Sequence, residues 1–204
     1  INEATTWRIE AADGTVLKHG DLPKELLGLR APWGRPFDGT TPRPNVLRAG
    51  AVAGECFPSS APAPYDALGD YLAQALSDAG GLTQFGAFTE TLMPGARSSH
   101  RHWHSDEDEF LYTLDGAVTL HENAGTIDLP PGTCVCWPAG VPNAHQLENR
   151  TDQPVTYFVA GSRLPEDTVT YPDIDLHYTR KGGLRTLSHK DGTPYPGWPK
   201  EMNR

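Results

Sequence analysis

The chain has 204 residues, of which 37% are hydrophobic and 21% charged, as in a globular protein of one domain or at most two small ones. Its net charge of −9 disfavours binding to nucleic-acid phosphates. No apolar run approaches the ~20 residues that cross a bilayer. We therefore expect neither a nucleic-acid nor a membrane partner.

The abundance of glycine and proline favours an all-β fold. With 21 Gly and 19 Pro, the chain turns too often for long helices. The three cysteines are an odd number and do not suggest a disulfide framework. Cys134 and Cys136 are expected to be buried free thiols, or to pack inside the barrel, and unpaired cysteines favour a cytoplasmic location.

Residues 1–81 are predicted to form an N-terminal arm and one short helix that pack on the following domain. Two short strands, Thr6–Ile9 and Thr15–Lys18, precede a segment from Ala31 to Pro64 that is dense in proline and glycine, which indicates an extended arm. A helix is predicted over Tyr65–Ala79, because Leu68, Leu72 and Leu76 recur at helical spacing and Gly80-Gly81 can end it.

From residue 82 to 180 the pattern changes to short strands separated by turn residues. Strands are predicted near 82–92, 98–104, 108–114, 117–122, 125–129, 133–137, 144–148, 154–162 and 174–179. This pattern is typical of an antiparallel sandwich or barrel. Residues 181–204 form a tail rich in proline and glycine, for which disorder and docking through Tyr195 and Trp198 both stay open.

Three histidines at alternate positions indicate a metal site. His100, His102 and His104 would project to one face of a strand, and Glu107 and Glu109 follow them. Imidazole and carboxylate ligands suit divalent transition metals, and such a set leaves coordination positions open for catalysis. The alternative is an exposed, histidine-rich turn.

The spacing of this segment resembles the first motif of the cupin family. Gly95 is followed after six residues by His102-x-His104, after four more by Glu109 and after six more by Gly116. The only departure from the family pattern is one extra residue after Gly95.

A second reading of the same motif uses His100, His102 and Glu107. It fits less well, because eight residues then separate Glu107 from Gly116. The predicted set of metal ligands therefore depends on which of the two readings applies, and variants at His100 and His104 would distinguish them.

The family's second motif is also recognisable. Gly132 is followed after five residues by Pro138-x-Gly140, after four more by His145 and after three more by Asn149. Two residues more than in the family lie between Gly140 and His145, in a loop that can absorb them.

The resemblance covers about residues 82–162 and implies an antiparallel double-stranded β-helix, the jelly-roll barrel, with a metal inside its mouth. It implies His102, His104, Glu109 and His145 as ligands of one divalent transition metal, which could be Fe, Mn, Zn or Ni. Glu109 would also be catalytic. His100 would either move protons or contact substrate, or would fill the barrel rim with a hydrogen bond to Glu107.

The function implied by this resemblance is a metal-dependent enzyme acting on a small polar or carboxylate-bearing molecule, of dioxygenase or lyase/isomerase type. The alternative is a non-catalytic cupin that binds or senses a small ligand. A purely structural barrel that binds no metal would not be expected to retain the four ligand residues, which are all present here. Because sheet edges and an apolar barrel face need covering, we also expect a homodimer.

Overall fold

The computed structural model describes residues 6–10, 16–21, 46–56 and 61–201. The chain divides into two compact units, Ile1–Pro44 and Asn45–Arg204. In the first unit, strands β1 (Thr6–Glu10) and β2 (Val16–Asp21) pair in antiparallel fashion, close to the two strands predicted there. Much of the predicted proline-rich arm lies outside the described residues.

The second unit is almost entirely β-structure, with one short helix. Its elements are β3 (Tyr71–Gln74), α1 (Leu76–Ala79), β4 (Phe85–Leu92), β5 (Trp103–His104), β6 (Glu109–Asp115), β7 (Val118–Glu122), β8 (Gly125–Leu129), β9 (Cys134–Trp137), β10 (Gln146–Glu148), β11 (Val155–Ser162), β12 (Asp167–Thr170), β13 (His177–Lys181), β14 (Leu184–Ser188) and β15 (Lys200–Glu201). All the strand pairs in the described residues are antiparallel, which confirms the predicted all-β jelly-roll class.

Three sheets form this unit. Their strand orders are β3-β4-β11-β6-β9, β10-β7-β8 and β15-β14-β13-β12-β5. Alternate residues of the first two sheets face inward and form one hydrophobic core, in which Leu92, Leu111, Val155 and Tyr157 are almost fully buried. This core includes Leu111 of β6, the strand that begins at Glu109, and Leu147 of β10, which begins one residue after His145.

The helix predicted over Tyr65–Ala79 is wrong for most of its length. Only Leu76–Ala79 is helical, whereas Tyr71–Gln74 is strand β3, paired with β4. Gly69 adopts a φ of +88° and lies so close to Ala96 that a Cβ would be 2.8 Å from the Ala96 Cα atom. Pairing with a neighbouring strand has overridden the helical spacing of the leucines.

The cysteines are free, as predicted, but the prediction that they are buried is wrong. Cys134 and Cys136 are both exposed. Alternation along β9 turns the intervening Val135 and the terminal Trp137 toward the core instead.

The C-terminal tail docks on the second unit. Tyr195 is buried against Leu176 and Leu187, and its hydroxyl donates a 2.6 Å hydrogen bond to the Asp175 carbonyl. Strand β15 pairs with β14, so the sheet continues beyond residue 180. Among the described residues, no helix is long and apolar enough to cross a membrane.

Candidate metal centre

Backbone pairing brings the candidate histidines together. His102 and His145 exchange two backbone hydrogen bonds of 3.1 and 2.8 Å in an antiparallel bridge, and His104 lies two residues further along on β5. The His102 ring centroid is 4.8 Å from that of His145 and 5.2 Å from that of His104. Residues far apart in sequence thus present their imidazoles to one space inside the barrel.

Glu109 completes this group at the start of β6. Its Oε2 atom lies 2.8 Å from Nε2 of His145 and 3.7 Å from Nε2 of His104. Oε2 is buried yet accepts no hydrogen bond, so the short contact with His145 is not aligned as one. Two ligands that bind one metal at ~2.1 Å and at right angles to each other lie ~3 Å apart. The spacing and the unsatisfied oxygen therefore fit a shared cation.

Hydrogen bonds hold the Nδ1 atoms of His102 and His104. Nδ1 of His102 lies 2.9 Å from the His100 carbonyl oxygen, and Nδ1 of His104 lies 2.7 Å from Oδ2 of Asp167. An Nδ1–H that donates to an oxygen leaves the lone pair on Nε2, which is the atom available to a metal. The His145 ring instead stacks on Trp137, with a centroid separation of 3.8 Å.

The protonation states suit metal binding at neutral pH. Burial, reinforced by the neighbouring His145, lowers the pKa of His102 to about 4, although Glu109 opposes the shift. Burial alone would raise the pKa of Glu109, but the three surrounding histidines lower it to about 2. His102 is therefore neutral and Glu109 ionised, the forms in which both can coordinate a cation.

Asp167 and Glu107 form a further acidic group around His104. The three residues offer possible ligand atoms within 4.8 Å of one another. Both carboxylates already accept other hydrogen bonds, Asp167 from the Asp106 amide at 3.2 Å and Glu107 from Arg180 and the Leu164 amide. This group therefore positions the His104 ring.

His100 does not join the cluster. Its Nε2 lies 2.8 Å from the Tyr65 carbonyl oxygen, and the bond to Glu107 considered from the sequence does not form, because Glu107 pairs with Arg180. His100 does line the cavity beside His102 and His104. It can thus contact a ligand there.

This cavity has a volume of about 420 Å³, within the usual range for a small-molecule site. Tyr178 and Leu187 of the third sheet, Tyr171 and Leu176 of the connection between β12 and β13, and Trp198 of the tail line it. Arg185 of β14 also lines it. The C-terminal tail and the third sheet thus form part of the cavity wall, together with residues of the strands that were predicted from the sequence.

Glu90 is a second acidic side chain inside the barrel. It lies opposite Tyr157 across the β4–β11 pair, and the Tyr157 hydroxyl donates a hydrogen bond to its carboxyl group. Burial and the charge of Glu109 raise the pKa of Glu90 to about 7, although the Tyr157 bond lowers it. A carboxyl group that titrates near neutrality can give or take a proton in catalysis.

Sequence reasoning missed Asp167 and Arg185, which adjoin the site, and the acidic side chain of Glu90, which lines a different cavity. Glu90 had a signal, since a glutamate stands at an inward position of the alternating strand Phe85–Leu92. Asp167 lies 63 residues from His104, and only the register between β5 and β12 brings the two together.

Comparisons with known proteins agree with this fold. Residues 88–161 match the family model described as Cupin domain. A crystal structure described as a sugar phosphate isomerase from a cupin superfamily, from Silicibacter pomeroyi DSS-3, is 38% identical with a TM-score of 0.69, and the match covers 74% of this chain and 97% of that chain. The chain therefore belongs to the cupin superfamily.

A second crystal structure, from Acidithiobacillus ferrooxidans, has the same fold. It is 24% identical with a TM-score of 0.66, and the match covers 79% of this chain and 98% of that chain. A search of curated proteins gave no match.

Proposed function

We propose that the protein is a metal-dependent cupin enzyme that acts on a small polar molecule. One divalent transition metal is held by the Nε2 atoms of His102, His104 and His145 and by the Glu109 carboxylate. The observation that carries this proposal is the buried Oε2 of Glu109, which accepts no hydrogen bond and faces imidazole nitrogens. Three imidazole nitrogens and one carboxylate oxygen suit Fe, Mn, Zn or Ni.

Isomerisation of a sugar phosphate is the reaction that we favour within this class. The 38% identical relative is described as a sugar phosphate isomerase, which supports isomerisation over the dioxygenation also considered from the sequence. A bound divalent metal supplies Lewis-acid polarisation of a substrate carbonyl. Isomerisation moves a proton between two carbon atoms, and His100, which lines the cavity beside His102 and His104, can carry that proton.

Metal analysis of untagged protein tests the ligand set. We expect about one equivalent of metal in the wild type and a severe loss in His102→Ala, His104→Ala and His145→Ala. Glu109→Gln keeps an oxygen but loses the charge, so it should lose less metal. His100→Ala is the matched control and should stay loaded, because its ring bonds the Tyr65 carbonyl instead. A loaded His104→Ala together with an empty His100→Ala would contradict this ligand set.

Turnover separates the enzyme from a binding protein. Metal-loaded protein should interconvert aldose and ketose phosphates, followed by proton NMR, without consuming dioxygen. Dioxygen uptake that depends on an added substrate would assign oxygenase chemistry instead. Binding without conversion of any sugar phosphate would favour the non-catalytic cupin.

A homodimer is also proposed. Alternation along β6 leaves Phe110, Tyr112 and Leu114 outward, and these side chains are 37%, 40% and 46% exposed. An exposed apolar row on a sheet face suits a protein interface. Light scattering should give twice the 22.2 kDa chain mass at micromolar concentration, and a mass near that of one chain would contradict the proposal.

A further inference from the structure

Arg185 is a cation without a counter-charge in the cavity wall. Its Nε atom is buried and has no hydrogen-bond partner, and no ion pair joins Arg185 to another described residue. The chain carries 26 acidic residues against 17 basic ones, so an arginine without an acidic partner is unexpected. Arg185 as a whole is only partly buried, but a guanidinium nitrogen removed from water without a partner is costly unless something compensates it.

The register of the third sheet explains how Arg185 comes to face the cavity. Tyr178 pairs with Leu187 and Arg180 pairs with Arg185, so alternation places Leu187 and Arg185 on the same face of β14. Leu187 and Tyr178 both line the cavity. Arg185 therefore points into the space that His102 and His104 also border.

The neighbouring arginine shows the usual way of balancing such a charge. Arg180 lies directly opposite Arg185 on the adjacent strand, and like charges in that position destabilise a sheet. Nε of Arg180 also lacks a hydrogen-bond partner, but another nitrogen of its guanidinium is paired with Glu107, whereas Arg185 forms no ion pair with a described residue. The difference indicates that an anion from outside the chain completes the Arg185 site.

The separation between Arg185 and the candidate metal centre is one that a single small molecule can span. Strands β5 and β14 are three strand spacings apart in their sheet, or about 14 Å between backbones, and Arg185 lies a further ~7 Å along β14 from Leu187, the residue level with His104. The side chains of His104 and Arg185 both line the cavity between these strands. A chain of a few carbon atoms can therefore reach from the metal ligands to the guanidinium group.

We propose that Arg185 binds a terminal oxyanion of the substrate, a phosphate or a carboxylate, while the carbonyl end lies at the metal centre. This inference rests on the proposed function and identifies the substrate as an anion. The planar guanidinium fork matches both oxyanions with paired hydrogen bonds. The hydroxyls of Ser98, Ser99 and Tyr178 in the same cavity offer further donors.

Calorimetric titration of the metal-loaded protein tests this assignment. The probes are glucose 6-phosphate, gluconate and uncharged glucose. We expect the anionic probes to bind more tightly than glucose, and Arg185→Gln to weaken their binding by about 10- to 100-fold while leaving glucose unaffected. Arg185→Lys keeps the charge without the fork and should fall between the two. The anion that loses more affinity is the one the site prefers.

Arg150→Gln is the matched control, because it removes the same charge from an exposed residue paired with Glu148. It should bind all probes as the wild type does. Metal content is measured in every sample, so that an empty wild-type protein contradicts the proposed function independently. If Arg185→Gln retains metal and binds the anions as tightly as the wild type, or if neither anion binds more tightly than glucose, the Arg185 proposal is wrong.

Discussion

Replacing Asp167 by asparagine should weaken metal binding although Asp167 is not one of the proposed ligands. Asp167 is almost fully buried and accepts two hydrogen bonds, at 2.7 Å from His104 Nδ1 and at 3.2 Å from the Asp106 amide. An asparagine has one acceptor oxygen and one NH2 group in place of two oxygens. If its oxygen faces His104, the NH2 group opposes the Asp106 amide. If it is flipped, the NH2 group donates to Nδ1 and moves the ring proton to Nε2, the metal-binding atom.

The expected loss of metal affinity is about 10- to 100-fold, which is the usual effect of removing a partner that orients a metal-bound histidine. In free energy this is about 1.4 to 3 kcal/mol. Both Asp167→Asn and wild type are titrated with zinc against a chromophoric chelator, after circular dichroism has shown that each metal-free protein is folded.

The matched control is Asp173→Asn, which removes a half-exposed carboxylate paired with Arg101. Its metal affinity should equal that of the wild type. A folded Asp167→Asn protein that binds zinc as tightly as the wild type would refute the role given to Asp167, whatever the other variants show.

Glu90 and Gly116 give two further tests. The pKa of Glu90 is raised to about 7 in the folded protein, so between about pH 4.5 and 7 the folded state keeps a proton that the unfolded state releases, and stability falls as pH rises. Denaturation of metal-free protein should show this loss, at most ~3 kcal/mol, and Glu90→Gln should abolish it; an unchanged pH profile would contradict the assignment. Gly116→Ala should lower the free energy of unfolding in urea by ~1–3 kcal/mol more than the control Gly95→Ala. Both glycines have a positive φ, but only at position 116 would the new Cβ lie 2.7 Å from a side-chain atom of Val155. Equal costs would show that Val155 adjusts.

The barrel strands could be predicted because their signals are local. Val118–Glu122 and Gly125–Leu129 agree with the predicted strands to within one residue, since alternating side chains and intervening turn residues define them. The predicted helix near Tyr71 failed because leucines at helical spacing can equally lie on a strand, and only pairing with β4 decides between the two.

The rest of the site depends on pairing between distant segments. The sequence motifs named His102, Glu109 and His145, which offer ligand atoms within 4.8 Å of one another, and His104, whose Nε2 atom lies 3.7 Å from Oε2 of Glu109. Nothing local marks Arg185, because its strand acquires a cavity-facing side only through its register with β13. Long-range register is invisible to periodicity, so the proximity of the motif residues was predictable and the far wall of the cavity was not.

The charges of the barrel interior support a site completed by two partners of opposite sign. Around His104 the groups are matched, with Asp167 on the ring and Glu107 on Arg180. Among the buried side-chain atoms of the described residues that have no hydrogen bond, Oε2 of Glu109 and Nε of Arg185 belong to side chains of opposite charge. The facing histidines already favour the ionised form of Glu109, whereas no ion pair with a described residue compensates Arg185. A metal cation at Glu109 and a substrate oxyanion at Arg185 would each stabilise the folded chain by its own binding free energy.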